Sequence, residues 1–305
     1  MLLPALPLLK KARAKKYAVP AFNINNLEIL KAVIEAAIAM KSPVIVQTSE
    51  GAIEYAGMDY LIAMACVAAE APIPVVLHLD HGKDLKVIRQ AIRSGYTSIM
   101  FDGSALPYEK NVVMTKRVVG WAHAKKISVE AELGVLTGIE DLVNVDARDA
   151  ALTNPDQAAA FVEATGCDSL AVAIGTSHGA YKFQGKTHLD IQRLKEIAAR
   201  VTIPLVLHGA SGVLEDVTKL AEHYGASLGR ARGVLDQDIQ TAIQCGVAKV
   251  NIDTDLRIAF TAGIRKAVAD LPKAIDPRKL LEPANDLMTQ VAKRKMKLFG
   301  SAGKA

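Results

Sequence analysis

Residues 73–101, IPVVLHLDHGKDLKVIRQAIRSGYTSIMF, hold one complete structural unit. The segment opens on a near-continuous apolar run, 73–80, of the kind expected of a parallel strand covered by helices. Residues 84–94 follow with Asp84 at the start and Gly95 just past the end, the polar start and glycine stop of a capped helix. A second strand-like run, 97–101, closes the unit. A strand, a helix and a strand in that order form a right-handed crossover in a parallel sheet.

The same pattern extends in both directions. Strand-like runs lie at 17–22, 43–48, 73–80, 97–101, 127–132, 169–174, 203–208 and 248–252. Helical spacing of apolar residues fills 27–40, 59–71, 109–125, 189–200 and 254–269. Asn154 and Pro155 open a further helix, as N-cap and first-turn proline. The repeat predicts an α/β fold, a (β/α)8 TIM barrel, in preference to a doubly wound open sheet, because the strand count closes at eight. Two connections are long: 134–153 after the fifth strand, read as a loop without strands, and 211–246 after the seventh, read as containing extra helices. Residues 277–297 read as a C-terminal helical extension, and residues 1–305 as a single domain.

Composition narrows the class. The chain has 305 residues, half of them hydrophobic, which excludes intrinsic disorder. Charged residues interrupt every apolar run before the ~18–20 residues that a bilayer requires. The opening MLLPALPLLKKARAKK places its apolar part before its charges, the reverse of a secretory signal. Three scattered cysteines, Cys66, Cys167 and Cys245, make no disulfide framework and point to a reducing cytoplasm. The net charge of +5 is spread along the chain rather than gathered into a stripe. That argues against nucleic acid and suits a small polyanion such as a sugar phosphate.

In a barrel, catalytic groups come from the C-terminal ends of strands. Three of the seven histidines sit there, His81, His178 and His208, each followed by glycine. One such histidine is ordinarily just a polar loop residue. Three at corresponding positions point to a metal site with an open fourth position, for Zn²⁺ or for Co²⁺, Fe²⁺ or Mn²⁺. His78 shares a strand face with Asp80 and is left as interior or as lying behind the ligands. Asp80, beside a ligand, is placed to move a proton to or from a substrate hydroxyl. Glu130 and Glu132 share one face of the fifth strand. Buried there, they need a second cation, hydrogen bonds to the histidines or a salt bridge. Gly209-Ala210-Ser211-Gly212 after the seventh strand and Asn251-Ile252-Asp253-Thr254 after the eighth stand where barrels bind phosphate.

LDHG, the HG at His178, LHGASG and NIDTDLR, in this order, resemble the class II fructose-bisphosphate aldolases, from AFNINN near the start to DPRK near the end. The resemblance implies a metal-dependent lyase acting on a sugar bisphosphate. It implies His81, His178 and His208 as Zn²⁺ ligands, Asp80 as the proton-exchanging acid or base, and Glu140 as the mobile general base. It implies Asp102 and Glu132 at a second or alternative metal position. Substrate contacts implied are Asn23, Ser49, Gly179, Gly209, Ala210, Ser211, Asn251, Ile252, Asp253 and Thr254, with Lys182, Arg257 and Arg278 as phosphate contacts, the last from a neighbouring subunit. A monovalent cation, Na⁺ or K⁺, commonly lies near the phosphate in this family. The insertion 214–246 resembles the branch that includes many tetramers, so a homo-oligomer, dimer or tetramer, is expected.

Breaking a C–C bond beside a carbonyl requires an electron sink, either a Schiff-base lysine or a Lewis-acid metal. Lysines at strand ends are scarce, Lys249 being read at the start of the eighth strand, so the histidine triad favours the metal. The alternative substrate is tagatose 1,6-bisphosphate, which differs at one stereocentre. An amidohydrolase would want an HxH pair in the first strand, and residues 21–25 have none. A non-catalytic sugar-phosphate-binding barrel would leave Asp80 and Glu140 without purpose.

Overall fold

The computed structural model describes residues 1–305 except 135–136, 141–142, 146–151, 179–188 and 229–232; at 137–140, 143–145 and 177–178 it describes the backbone. In chain order the strands are β1 (Val19–Asn23), β2 (Val44–Thr48), β3 (Val75–Gly82), β4 (Ser98–Phe101), β5 (Ser128–Leu133), β6 (Thr137–Glu140), β7 (Val143–Val145), β8 (Ser169–Val172), β9 (Ser177–His178), β10 (Leu205–Leu207) and β11 (Val247–Ile252). The helices are α1 (Ala5–Ala14), α2 (Leu27–Met40), α3 (Glu50–Ala56), α4 (Met58–Ala68), α5 (Leu85–Ser94), α6 (Tyr108–His123), α7 (Pro155–Thr165), α8 (Ile191–Arg200), α9 (Glu215–His223), α10 (Asp236–Gln244), α11 (Thr254–Asp270) and α12 (Pro277–Leu298).

Eight strands close a parallel barrel in the order β1-β11-β10-β8-β5-β4-β3-β2. Each barrel strand pairs with its sequence neighbours in the ring, as expected of repeated right-handed crossovers. Caps fall where the sequence places them: Asp84 accepts from the Lys86 amide at 2.7 Å, Gly95 ends α5 at φ 107°, and Asn154 accepts from the amides of Asp156 and Gln157. The connection 134–153 departs from the expected loop. It contains β6 and β7, which pair antiparallel, and β6 pairs in parallel with β9. Their runs of three and four residues are too short for alternation to register in the sequence.

The barrel interior is graded. At one end α1, unanticipated from the sequence, plugs the barrel: Ala5, Leu9 and Ala12 pack on Val19, Ala21, Ile45, Val76 and Ala248. Burying a leucine such as Leu9 contributes about 1.5–3 kcal/mol. Arg13 ties this plug down by donating to the carbonyls of Ala198, Val201 and Ile203. At the other end the interior is polar. The large core cluster fills the layer between the strands and the surrounding helices. On the outside, α12 packs against α11 and α2, so tightly that a Cβ on Gly263 would lie 2.3 Å from the Cα of Ala284.

Two bulges set which side chains reach the polar end. In β3, Leu79 pairs with Ile99 and Gly82 with Phe101, so Asp80 and His81 together face Met100 alone. Strict alternation would send His81 outward once Asp80 points inward. The extra residue, with His81 at φ 48°, brings both into the barrel mouth. A non-glycine residue in this region costs about 1–3 kcal/mol and persists only where its surroundings hold it. In β11 the register shifts between Leu205/Val206 and Val247/Lys249, leaving Ala248 as the extra residue and turning Lys249 and Asn251 inward. A Cβ on Gly82 would sit 2.7 Å from the carbonyl oxygen of Met100. Gly82→Ala is therefore expected to lose about 1–3 kcal/mol by forced backbone movement. Denaturant unfolding measures it, and an unchanged midpoint would show that β4 yields freely.

Candidate active site

The polar mouth is built from the ends of β1, β3, β4, β5, β10 and β11. His81 and His208 meet there, with His81 Nε2 and His208 Nδ1 2.9 Å apart and the rings edge-on at 80°. The opposite nitrogen of each ring meets a carboxylate: His81 Nδ1 to Asp102 at 3.0 Å, and His208 Nε2 to Glu130 at 2.7 Å. A carboxylate behind each imidazole is how metal-binding histidines are oriented. The facing nitrogens lie close to the ~3.3 Å edge of a tetrahedral site with bonds of about 2.0–2.1 Å.

Asp80 is buried and held from two sides. Asn23 Nδ2 donates to its Oδ2 at 2.9 Å, Asn251 Nδ2 to its Oδ1 at 3.0 Å, and Gln47 orients Asn23 through a 2.7 Å bond. Burial pushes the Asp80 carboxyl up, but His81, His208 and Lys249 outweigh it and hold the group below its ordinary value. Asp102 is likewise lowered: burial opposes, while His81 and Ser104 hydrogen-bond the ionised form. Glu132 goes the other way, raised first by burial and then by Asp102. Burial disfavours a proton on His81, yet Asp80, Asp102 and Glu132 together raise it well above its usual value.

Those surroundings fit a cation. Glu132 Oε2 is buried without a hydrogen-bond partner among the described residues, 3.7 Å from His81 Nδ1. Two overlapping groups have ligand atoms within 4.8 Å of one another: Asp80, His81 and His208, and His81, Asp102 and Glu132. Two imidazoles and three carboxylates, one of them with an orphaned oxygen, form a donor set suited to a divalent metal.

The whole chain can be placed among known proteins at this point. A family model described as fructose-bisphosphate aldolase class-II matches residues 4–304. The chain belongs to the class II fructose-bisphosphate aldolase family. It is 51% identical over 305 residues to a fructose-bisphosphate aldolase from Thermus caldophilus, covering 100% of both chains. It is 46% identical to one from Helicobacter pylori (strain J99 / ATCC 700824), again with full coverage of both. Among solved structures, the YdjI aldolase from Escherichia coli K12 matches with a TM-score of 0.79 and 36% identity, covering 100% of each chain. As a member of this family the chain is a metal-dependent lyase whose substrate class is a sugar bisphosphate.

The remaining aldolase residues named from the sequence fall into three groups. Gly209, Ala210 and Ser211 follow β10, and Asn251 and Ile252 end β11. Asp253 and Thr254 lead into α11, whose N-terminus is the positive end of the helix dipole and favours an anion. Arg257 is half-exposed and bonds Asp253 at 2.8 Å, so it stands over the same turn. Ser49 and Arg278 have other visible work. The Ser49 hydroxyl caps α3 through the Ala52 amide at 3.1 Å, and Arg278 pairs with Asp276 in its own exposed turn at 2.7 Å. The third group is His178, Glu140, Gly179 and Lys182. The backbones of His178 and Glu140 are placed by the β6–β9 and β6–β7 pairings, their side chains lie outside the described residues, and so do Gly179 and Lys182 entirely.

Sequence reasoning missed a layer beneath the ligands. Lys249 is not at the start of its strand; it follows the extra residue Ala248 and reaches the barrel centre, where its Nζ meets Glu130 Oε2 at 2.7 Å and His78 Nε2 at 3.3 Å. His78 Nδ1 bonds Ser98 Oγ at 2.7 Å. Burial, reinforced by Lys249, pushes His78 down to about 3, so its imidazole stays neutral. The signal was present: a lysine inside an apolar strand demands a buried carboxylate partner, and Glu130 was the open one.

Proposed function

We propose that this chain cleaves fructose 1,6-bisphosphate reversibly to dihydroxyacetone phosphate and glyceraldehyde 3-phosphate, with Asp80 exchanging the proton of the C4 hydroxyl. The observation that carries this reading is the pair of amides on Asp80. Asn23 and Asn251 aim its carboxylate into the mouth beside His81 and His208, which with Lys249 hold it below its ordinary value. In cleavage Asp80 accepts the hydroxyl proton as the C3–C4 bond breaks; in condensation it returns that proton to the aldehyde oxygen. Glu140 adds or removes the proton at the dihydroxyacetone phosphate carbon. The turns at Ser211 and Thr254 grip its phosphate, which fixes the reacting carbons in place. Gly179, Lys182 and Arg257 complete that grip.

His81, His178 and His208 would hold the catalytic Zn²⁺, or Co²⁺ in its place, with Asp102 and Glu132 as a second or alternative position. The bound metal supplies Lewis-acid polarisation of the substrate carbonyl and stabilises negative charge on the substrate oxygens. A monovalent cation, Na⁺ or K⁺, near the two turns would offset phosphate charge. Chelation is expected to abolish cleavage, and borohydride added with substrate to leave it intact. Inactivation by borohydride would mean a Schiff base and overturn the metal reading. Glu140→Ala is expected to slow solvent exchange of the dihydroxyacetone phosphate proton at least about a hundredfold, the scale of a lost general base. Unchanged exchange, followed by NMR, removes Glu140 from that role. Comparing rates on fructose and tagatose 1,6-bisphosphates separates the two substrates.

The reading extends to one domain over residues 1–305, to a place in the cytoplasm and to glycolysis and gluconeogenesis. Among the described residues no single helix is long and apolar enough to cross a membrane. A homo-oligomer, dimer or tetramer, belongs to the same proposal. An apolar groove of about 430 Å³ beside Leu30, Ile34, Met64 and the exposed Val67 leaves surface that a second copy would remove from water. Sedimentation of the purified chain tests it.

A further inference from the structure

The loop after β10 is held from below by a charge pair that none of the chemistry above uses. Lys295, on α12, meets Asp255 Oδ2 at 3.0 Å, with side chains 2% and 0% exposed. The same Asp255 oxygen accepts from the Gly212 amide at 3.0 Å. The carbonyl at the other end of that peptide, Ser211 O, accepts from the Val234 amide at 3.2 Å. One peptide plane, Ser211–Gly212, is thus pinned at both ends. The next residue, Val213, is held at φ 48°, a strained state for a β-branched side chain. Space is equally tight: a Cβ on Gly212 would lie 2.8 Å from Lys295 Nζ, and one on Gly233 would lie 2.3 Å from Ser211 O.

A buried ion pair is weak as a source of stability, because apolar residues of the same volume generally serve as well. What an apolar pair cannot do is accept the Gly212 N–H. Asp255 also stands in the first turn of α11, directly after Thr254. It therefore joins the turn at Ser211 to the turn at Thr254, and Lys295 compensates the charge that lets it do so. We propose that Asp255 and Lys295 are positioning residues for phosphate binding, fixing the Ser211–Gly212 peptide so that the two turns present one preformed anion site. This rests on reading those turns as the phosphate grip.

The test compares purified holoenzymes. Lys295→Met with Asp255→Leu replaces the pair by apolar groups and removes the acceptor. Lys295→Met with Asp255→Asn removes the charges and keeps it. Gly212→Ala, a single methyl on the loop, pushes the Lys295 ammonium aside and leaves the core whole, so it reads the same question where the double variants accumulate poorly. The Leu variant and Gly212→Ala are expected to raise KM for fructose 1,6-bisphosphate, and the inhibition constant of inorganic phosphate, roughly tenfold. kcat should change far less, and metal content should stay that of the parent. The Asn variant is expected to return both constants to near the parent values. Parent-like KM and phosphate inhibition in the Leu variant or Gly212→Ala, whatever happens to Tm, would overturn the proposal. Ser211→Ala separates the two levels: if it weakens phosphate while the pair variants do not, only the positioning role fails, and if none of them does, the phosphate grip itself is wrong.

Discussion

Asp80→Ala should lower kcat by about 10²–10⁴-fold, the range of a lost general acid–base group, while the purified protein keeps its metal. The carboxylate is 2% exposed and makes hydrogen bonds to Asn23 and Asn251 that orient it rather than consume it, since each oxygen retains a further lone pair. Asp80→Asn keeps the volume and loses the base, so it should fall equally far. The geometry also offers the opposite reading, because Asp80 shares a potential ligand group with His81 and His208. Metal analysis decides between them. Loss of metal together with activity would make Asp80 a ligand and remove the proton-transfer role. Retained metal with a KM close to the parent places its contribution in the transition state.

How Asp80 and His81 come to share the site shows what the sequence could and could not tell. Alternation along β3 puts His78 and Asp80 on one face, while the metal reading needed His81 there too; both hold because of the bulge. Nothing in LDHG announces a bulge except the glycine, which is required because β4 passes within 2.7 Å of where its Cβ would be. The barrel itself was legible, since eight buried parallel strands read as apolar runs and their helices carry ordinary caps. α1 and α3 were not. The apolar residues of α1 mix with a run of lysines, and α3 is only seven residues long. For Glu130 and Glu132 the sequence offered a cation, histidine contacts or a salt bridge, and the structure divides these between them. Glu130 meets Lys249 and His208, whereas Glu132 stands beside His81 with an oxygen that has no hydrogen-bond partner among the described residues. That division depends on the register of β11, which a run such as VAKVNI does not encode.

Lys249→Met should be the most destabilising single change in the barrel interior, by about 3–5 kcal/mol, the usual loss when one partner of a buried pair is removed. Lys249 and Glu130 are 1% and 2% exposed, and the ion pair is 2.7 Å long. Among the described residues no other lysine or arginine pairs with Glu130: burial keeps His78 neutral and also lowers His208, whose Nε2 bonds the other Glu130 oxygen. Without the lysine, a carboxylate would remain in the barrel centre facing two imidazoles that burial disposes against taking a proton. Adding Glu130→Gln removes that charge and keeps a hydrogen-bonding group beside His208, so the double variant should recover most of the loss. Recovery in the double variant would show that the penalty came from the uncompensated charge rather than from the missing lysine stem. Guanidinium unfolding of the metal-free protein measures all three forms free of any contribution from bound metal. A loss under about 1 kcal/mol for Lys249→Met would mean that Glu130 is already neutral or hydrated, and the ion pair would then have no part in holding His208.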